Sequence, residues 1–151
     1  MIKKSKINNR VFVIHGHDGM LVEQVTNFLR LLKMEPIILK NKANEGKTII
    51  EKLEKNSDVN MAIALLTPDD DLTDNTKQAR QNVILELGWF MAKKGRKNIS
   101  ILYKKGTSIP SDMDGISYIL VDDAQSCWKI DLAKEFKSVR LKFDFNDILK
   151  D

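Results

Sequence analysis

The sequence contains a single cysteine, few prolines and glycines, and no long hydrophobic run. Cys127 stands alone, which excludes an internal disulfide and suits a reducing, cytoplasmic compartment. No apolar stretch approaches the roughly 18 residues that a membrane-spanning helix needs. The basic N-terminus is not followed by an apolar segment, which argues against a signal peptide. We therefore expect a cytoplasmic protein with no membrane partner.

A large excess of positive or negative charge is also absent. The 25 lysines and arginines nearly balance 21 aspartates and glutamates, giving a net charge of +4. The densest basic stretch, residues 93–97, closes a predicted helix, where cations complement the helix dipole. This distribution predicts no nucleic-acid partner.

The remaining composition is that of one globular domain. Hydrophobic residues make up 42% of the 151 residues and charged residues 30%, which is typical of folded domains. A chain of this length buries a core without a disulfide or a metal. We expect a flexible N-terminal segment over residues 1–9 and a single domain over residues 10–151.

Five short apolar runs mark the predicted strands, and none alternates cleanly between apolar and polar residues. They cover Val11–Ile14, Pro36–Leu39, Met61–Leu66, Ile99–Tyr103 and Tyr118–Val121. Continuous apolar runs are typical of parallel strands that helices cover on both faces. The runs therefore predict an α/β fold with a mostly parallel five-stranded sheet.

Helical patterns lie between these runs. Asp18 fits the N-cap of a first helix, and Thr48 followed by Glu51 fits a capping box that opens a second. These signals place a helix after each of the first two strands, which favours right-handed crossovers between parallel neighbours.

Two further helices complete the pattern. One is predicted over Lys77–Lys94, ending at Gly95, and the other over Trp128–Val139. Residues 103–118 show no helical pattern and predict a loop, and the tail from Leu141 predicts one short element. The order of elements favours a flavodoxin-like sheet with strand order 2-1-3-4-5.

Three loops follow the first three strands, where open α/β sheets bind ligands. They are His15–Asp18, Asn41–Thr48 and Thr67–Asp71. None matches the dinucleotide fingerprint or the P-loop. Gly16 is expected to let a ligand approach the backbone closely, next to a helix N-terminus that favours anions.

The histidines and aspartates of these loops carry no specific chemical motif. His15 and His17 lack a clear third ligand, so we interpret them as hydrogen-bonding loop residues and predict no metal site. We interpret Asp69–Asp71 as a solvated loop or as caps.

Glu86 is the most distinctive residue, because it is the only charged residue in the stretch from residue 83 to 92. A carboxylate beside aromatic side chains is poorly solvated, which raises its pKa unless a cation or donor holds it. The competing interpretation is a structural ion pair with Lys93 or another nearby cation, or simply an exposed face of the helix. At helical spacing its face also carries Asn82, Trp89, Phe90 and Lys93.

Four segments together resemble a known family. They read RVFVIHGHD at residues 10–18, NEGKTIIEK at 44–52, ALLTPDD at 64–70 and ARQNVILELGWF at 79–90. In this order they resemble the bacterial TIR-like domains described as predicted nucleotide-binding proteins. That family includes effector domains of Pycsar and related cyclic-nucleotide antiphage systems. The resemblance extends from about residue 10 to residue 139.

The resemblance implies a three-layer TIR fold and an NAD+ glycohydrolase, which cleaves the nicotinamide–ribose bond of NAD+. Its catalytic glutamate corresponds to Glu86. NAD+ is then the substrate, and neither a cofactor nor a metal is implied. The implied substrate-binding residues are His15, Gly16, His17, Asp18, Arg80 and Trp89. The loop implied in assembly and gating carries Asn44, Glu45, Gly46 and Lys47.

The resemblance also implies partners and leaves alternatives open. The implied partners are other TIR domains, through self-association, and a cyclic-nucleotide sensor domain on the same or another chain. A non-catalytic TIR interaction module is one alternative. Another is an enzyme like the nucleoside deoxyribosyltransferases, which use a glutamate at a glycosidic bond. Turnover of NAD+ against turnover of deoxynucleosides separates the enzymatic alternatives.

Overall fold

A computed structural model describes residues 8–39, 48–71, 77–111 and 113–150. Its main sheet has five parallel strands in the order β2-β1-β3-β6-β8. Counted along the main sheet alone, this is the predicted order 2-1-3-4-5. The strands are β1 (Arg10–Ile14), β2 (Glu35–Ile37), β3 (Met61–Leu66), β6 (Ile99–Tyr103) and β8 (Ser117–Leu120).

Helices cover both faces of this sheet and make it three-layered. The helices are α1 (Gly19–Leu31), α2 (Ile49–Lys55), α3 (Gln81–Lys94) and α4 (Trp128–Ser138). Side chains of α1 and α4 pack on one face, and side chains of α2 and α3 pack on the other. All six residues of β3 are buried, because this central strand is covered from both sides. The predicted α/β fold is confirmed.

The predicted N-terminal caps of the first two helices are present. The Asp18 carboxylate accepts the Leu21 N–H at 3.0 Å at the start of α1. At the start of α2, the Thr48 hydroxyl accepts the Glu51 N–H and the Glu51 carboxylate accepts the Thr48 N–H. These bonds satisfy N–H groups that the first helical turn leaves without partners, so both helices begin at the predicted residues.

The third helix begins later than predicted, at Gln81 instead of Lys77. The residues predicted as its first turn, Lys77–Gln78, instead belong to a second, three-stranded sheet in the order β4-β5-β7. Its strands have two residues each: β4 (Asp70–Asp71), β5 (Lys77–Gln78) and β7 (Thr107–Ser108). Pairing with β7 holds Lys77–Gln78 extended, and Ala79 is then fully buried ahead of the helix.

The C-terminal part follows the prediction closely. α4 ends one residue before the predicted Val139, and the tail adds a 3₁₀ helix at Phe145–Lys150. The predicted assembly loop, with Asn44, Glu45, Gly46 and Lys47, lies outside the described residues, as does most of the N-terminal segment. Among the helices described, none is both long and apolar enough to cross a membrane.

Candidate functional site

A cavity of about 280 Å³ lies at the carboxyl end of β1, against the first half of α3. One wall is the loop that follows β1, and the opposite wall is the side of α3 that faces this loop. The position agrees with the general location of ligand sites in open α/β sheets. The lining residues are Val13, His15, Gly16, His17, Leu39, Arg80, Asn82, Val83 and Glu86.

Glu86 brings a carboxyl group into the wall of this cavity. Burial raises the pKa of Glu86 to about 7, because removal from water disfavours the charged form. Among the residues that the structure describes, none forms a hydrogen bond or an ion pair with this carboxyl group. The ion pair with Lys93 that served as the competing interpretation is therefore not present, and the carboxyl group faces the cavity.

The aromatic neighbours of Glu86 lie away from the cavity. Phe90 is fully buried and packs on Phe12, with ring centroids 4.5 Å apart. Trp89 packs edge-on against Phe90 and against the same apolar cluster. Trp89, which the family resemblance implied as a substrate-binding residue, does not line the cavity in this structure.

His15 and His17 differ in their surroundings although both line the cavity. His15 is half-buried, and its Nδ1 lies 2.9 Å from the carbonyl oxygen of Gly16. His17 is exposed, and its backbone N–H donates to the Asp69 carboxylate at 3.2 Å. The backbone of the loop after β1 thus makes hydrogen bonds at both Gly16 and His17.

Gly16 lines the cavity, but the reason for glycine differs from the one expected from the sequence. A β-carbon placed on Gly16 would lie 2.0 Å from Oδ2 of Asp69. The space that the missing side chain leaves is thus taken by the Asp69 carboxylate, not left for a ligand. Asp69 is therefore half-buried and hydrogen-bonded instead of freely solvated, since it also accepts the Thr67 hydroxyl at 2.8 Å.

Asp18, which was also predicted to bind substrate, has a structural position at the start of α1. Its carboxylate caps α1 and forms an ion pair with Lys104. Burial alone would raise the pKa of Asp18, but the bonds from Lys104, Leu21 and Met20 outweigh burial and lower it. The side chain is therefore held as an anion beside the helix, and Asp18 is not among the lining residues of the cavity.

Arg80 and Asn82 contribute polar groups at the start of α3. Arg80, which the family resemblance implied as a substrate-binding residue, precedes the helix and lines the cavity. Asn82 was not predicted as a site residue, although it precedes Glu86 by four residues and so shares its helical face. That spacing was the available signal for Asn82. Within the described ranges, no three histidine, cysteine or acidic side chains are grouped to hold a metal ion.

The charged and polar groups that line the cavity determine which kind of ligand it suits. A carboxyl group with a pKa near 7 provides substantial negative charge at neutral pH, and partial burial strengthens its field compared with water. Opposite it lie an imidazole ring and backbone polar groups of the loop after β1. Such a site suits a polar ligand that carries, or develops, positive charge next to Glu86.

Comparison with known proteins identifies one matching family and several relatives. The family model described as "CAP12/Pycsar effector protein, TIR domain" matches residues 10–123. The uncharacterized protein YuaY of Escherichia coli (strain K12) is 38% identical over 144 residues, covering 91% of this chain and 48% of YuaY. The chain thus spans about half the length of that relative.

Two further relatives carry TIR names. Protein tirC of Dictyostelium discoideum is 33% identical over 151 residues, which cover 93% of this chain and 73% of tirC. The Pycsar effector protein PaPycTIR of Pseudomonas aeruginosa is 40% identical over 76 residues, or 46% of this chain and 25% of that protein.

A solved structure, the SEFIR domain of interleukin-17 receptor B, aligns with a TM-score of 0.47 at 14% identity. The alignment covers 87% of this chain and 96% of that domain. The classification rests instead on the family model, which covers all five strands of the main sheet and all the lining residues of the cavity, and on the relatives named above. This chain belongs to the CAP12/Pycsar effector TIR domain family.

Proposed function

We propose that this domain is an NAD+ glycohydrolase that cleaves the bond between nicotinamide and ribose. One observation carries the proposal: the Glu86 carboxyl group faces the cavity at the end of β1, without a partner among the described residues. A carboxyl group held only for stability is expected to be paired, whereas this one is partly buried without a partner among the described residues and lines a cavity.

The chemistry of the reaction matches a single carboxylate. Nicotinamide leaves a cationic pyridinium as a neutral molecule, so its departure needs no general acid. The transition state resembles an oxocarbenium ion, as in glycoside cleavage. In this proposal, ionised Glu86 stabilises the developing positive charge and accepts hydrogen bonds from ribose hydroxyls.

The other polar lining residues have binding roles in this proposal. Arg80, which lines the cavity at the start of α3, suits a phosphate group of the substrate. Asn82 lies one helical turn before Glu86 and is suited to hold a ribose hydroxyl. His15, on the opposite wall, fixes the orientation of the bound substrate.

Family membership also supports a proposal for the biological role. We infer that the domain is an antiphage effector that is activated by assembly with other TIR domains. A cyclic-nucleotide sensor domain, on the same or another chain, would supply the signal. PaPycTIR is named as a Pycsar effector, which supports this assignment.

The test is release of free nicotinamide from NAD+ by concentrated protein, measured by chromatography. Glu86→Gln keeps the shape of the side chain and removes its charge. We expect a loss of about 10²–10³ in rate, the usual cost of one electrostatic stabiliser. Glu23→Gln is the matched control, because Glu23 is an exposed glutamate on α1.

The outcomes separate the alternative functions. Parent-level turnover by a folded Glu86→Gln variant would show that Glu86 is not catalytic. No turnover of NAD+ by assembled wild-type protein would favour a non-catalytic interaction module. Turnover of deoxynucleosides in place of NAD+ would favour the deoxyribosyltransferase-like alternative.

A further inference from the structure

One peptide group in the cavity wall is held from both sides. In the peptide between Gly16 and His17, the N–H donates to Oδ2 of Asp69 at 3.2 Å. The carbonyl oxygen of the same peptide lies 2.9 Å from Nδ1 of His15. In a trans peptide the N–H and C=O point in opposite directions. The bond to Asp69 therefore directs the carbonyl oxygen towards the His15 ring.

This contact determines which nitrogen of His15 carries hydrogen. A carbonyl oxygen only accepts hydrogen bonds, so Nδ1 of His15 must be the donor. In the neutral ring, Nε2 is then the unprotonated nitrogen, with a lone pair for a ligand hydroxyl. The hydrogen bond that Nδ1 makes thus fixes the protonation state of Nε2 in the neutral ring.

Asp69 is itself fixed in place by the end of β3. Its Oδ1 accepts the Thr67 hydroxyl at 2.8 Å, and its backbone N–H donates to the Thr67 carbonyl at 2.8 Å. Thr67 is only 2% exposed. The carboxylate thus has a rigid base in the central strand and reaches across to the loop after β1.

We propose that Asp69 is a positioning residue, which sets the tautomer and orientation of the His15 imidazole through the Gly16–His17 peptide. This role explains why residue 16 is glycine: a β-carbon there would occupy the position of Oδ2 of Asp69. Gly16 does not have a positive φ angle, so its backbone conformation alone does not require glycine.

The inference depends on the proposed function only in taking the cavity as a substrate site. The tautomer of His15 is measured on the free protein, with no substrate present. A wrong assignment of NAD+ cleavage would leave that measurement unchanged, so the failure of one proposal is distinguishable from the failure of the other.

The experiment is NMR of the imidazole nitrogens in ¹⁵N-labelled protein at alkaline pH, where chemical shifts and long-range couplings identify the protonated nitrogen. The chain has only two histidines, and exposed His17 serves as the internal reference. We expect His15 of the wild-type protein to be protonated at Nδ1. Protonation at Nε2 would overturn the proposal without any variant.

Three variants test the role of Asp69. Asp69→Ala removes the acceptor and should shift His15 towards the Nε2–H tautomer, whereas Asp69→Asn keeps an acceptor oxygen and should preserve Nδ1–H. Gly16→Ala should displace the Asp69 carboxylate and give the same change as Asp69→Ala. In the double variant, Gly16→Ala should cause no further change in the His15 tautomer beyond that of Asp69→Ala. The carboxylate with which the added β-carbon would clash is then already absent.

A kinetic measurement complements the spectra. Misplacing a substrate-orienting group by about 1 Å costs up to roughly 10²-fold, so Asp69→Ala should lower kcat/KM about 10- to 100-fold, with Asp69→Asn near the parent value. A His15 tautomer that is the same in the wild type and in Asp69→Ala would overturn the role of Asp69. Additive effects of Gly16→Ala and Asp69→Ala on the His15 tautomer would also overturn it.

Discussion

At the scale of single residues, the decisive property is the cost of placing Glu86 in the cavity wall. The carboxyl group has an ordinary pKa of 4.5 in the unfolded chain and about 7 in the folded domain. The stability that this shift contributes is complete below about pH 4.5 and is lost as the pH rises to about 7. Above that range Glu86 is ionised in both the folded and the unfolded state. Compared with a neutral side chain, its desolvation then lowers the free energy of unfolding by at most about 3 kcal/mol.

This linkage predicts that Glu86→Gln stabilises the domain. Glutamine resembles the protonated carboxyl group and has no charge to desolvate. We expect a higher free energy of unfolding for the variant at pH 8 and a much smaller gain at pH 5, measured by urea denaturation at both values. Glu23→Gln should show no such pH dependence. A variant less stable than the parent at pH 8 would indicate an ion pair at Glu86 in solution.

The sequence identified Glu86 because a lone charge within an apolar helix is visible without knowledge of the fold. It did not identify Asp69, since the contact with Gly16 joins residues 53 positions apart and Asp69 stands in an ordinary acidic run. For the same reason, the need for glycine at residue 16 was assigned to ligand approach instead of to the Asp69 carboxylate.

At the scale of elements, the start of α1 combines two stabilising interactions on one side chain. Asp18 caps the helix and pairs with Lys104 at the end of β6. Asp18→Ala should lower the free energy of unfolding by about 1–2 kcal/mol, through loss of the cap and of the ion pair. Thermal denaturation of both proteins measures the difference.

Asp18→Asn is the matched control, because asparagine also caps helices but carries no charge. It should cost less than Asp18→Ala. Since the pKa of Asp18 is lowered in the folded state, the stability it contributes is present above about pH 3.8 and is lost as the pH falls through the folded pKa. Equal losses in the two variants would contradict a role for the cap.

Elements with a hydrophobic pattern were predictable, and those without one were not. The central strands of the main sheet, β1, β3 and β6, are buried on both faces, so their sequences carry the signal of the fold. The second sheet consists of two-residue strands of polar residues, held by pairing with one another. Its β5 strand therefore appeared from sequence as the first turn of α3.

At the scale of the whole molecule, activity should depend on assembly. The family resemblance implies, as a proposal, that residues 41–48 take part in assembly and gating of the pocket. When only the assembled form is competent, apparent affinity falls with the fraction of protein in that form. We expect NAD+ turnover per mole of protein to rise steeply with protein concentration, and also on fusion to an oligomerising partner.

A dilution series with nicotinamide release as the readout measures this dependence. Glu86→Gln, at the highest concentration, supplies the background. Constant specific activity down to the dilute end would show a preformed site in the single domain and would rule out gating by assembly.

The partial protonation of Glu86 near neutral pH has one more consequence. A cation that enters the cavity favours the ionised carboxylate and so expels its proton, whereas a neutral molecule does not. A substrate that arrives as a cation and leaves a neutral product would release a proton on entry and take one up on departure. The domain would thus exchange protons with its solvent in step with ligand charge, through a single side chain.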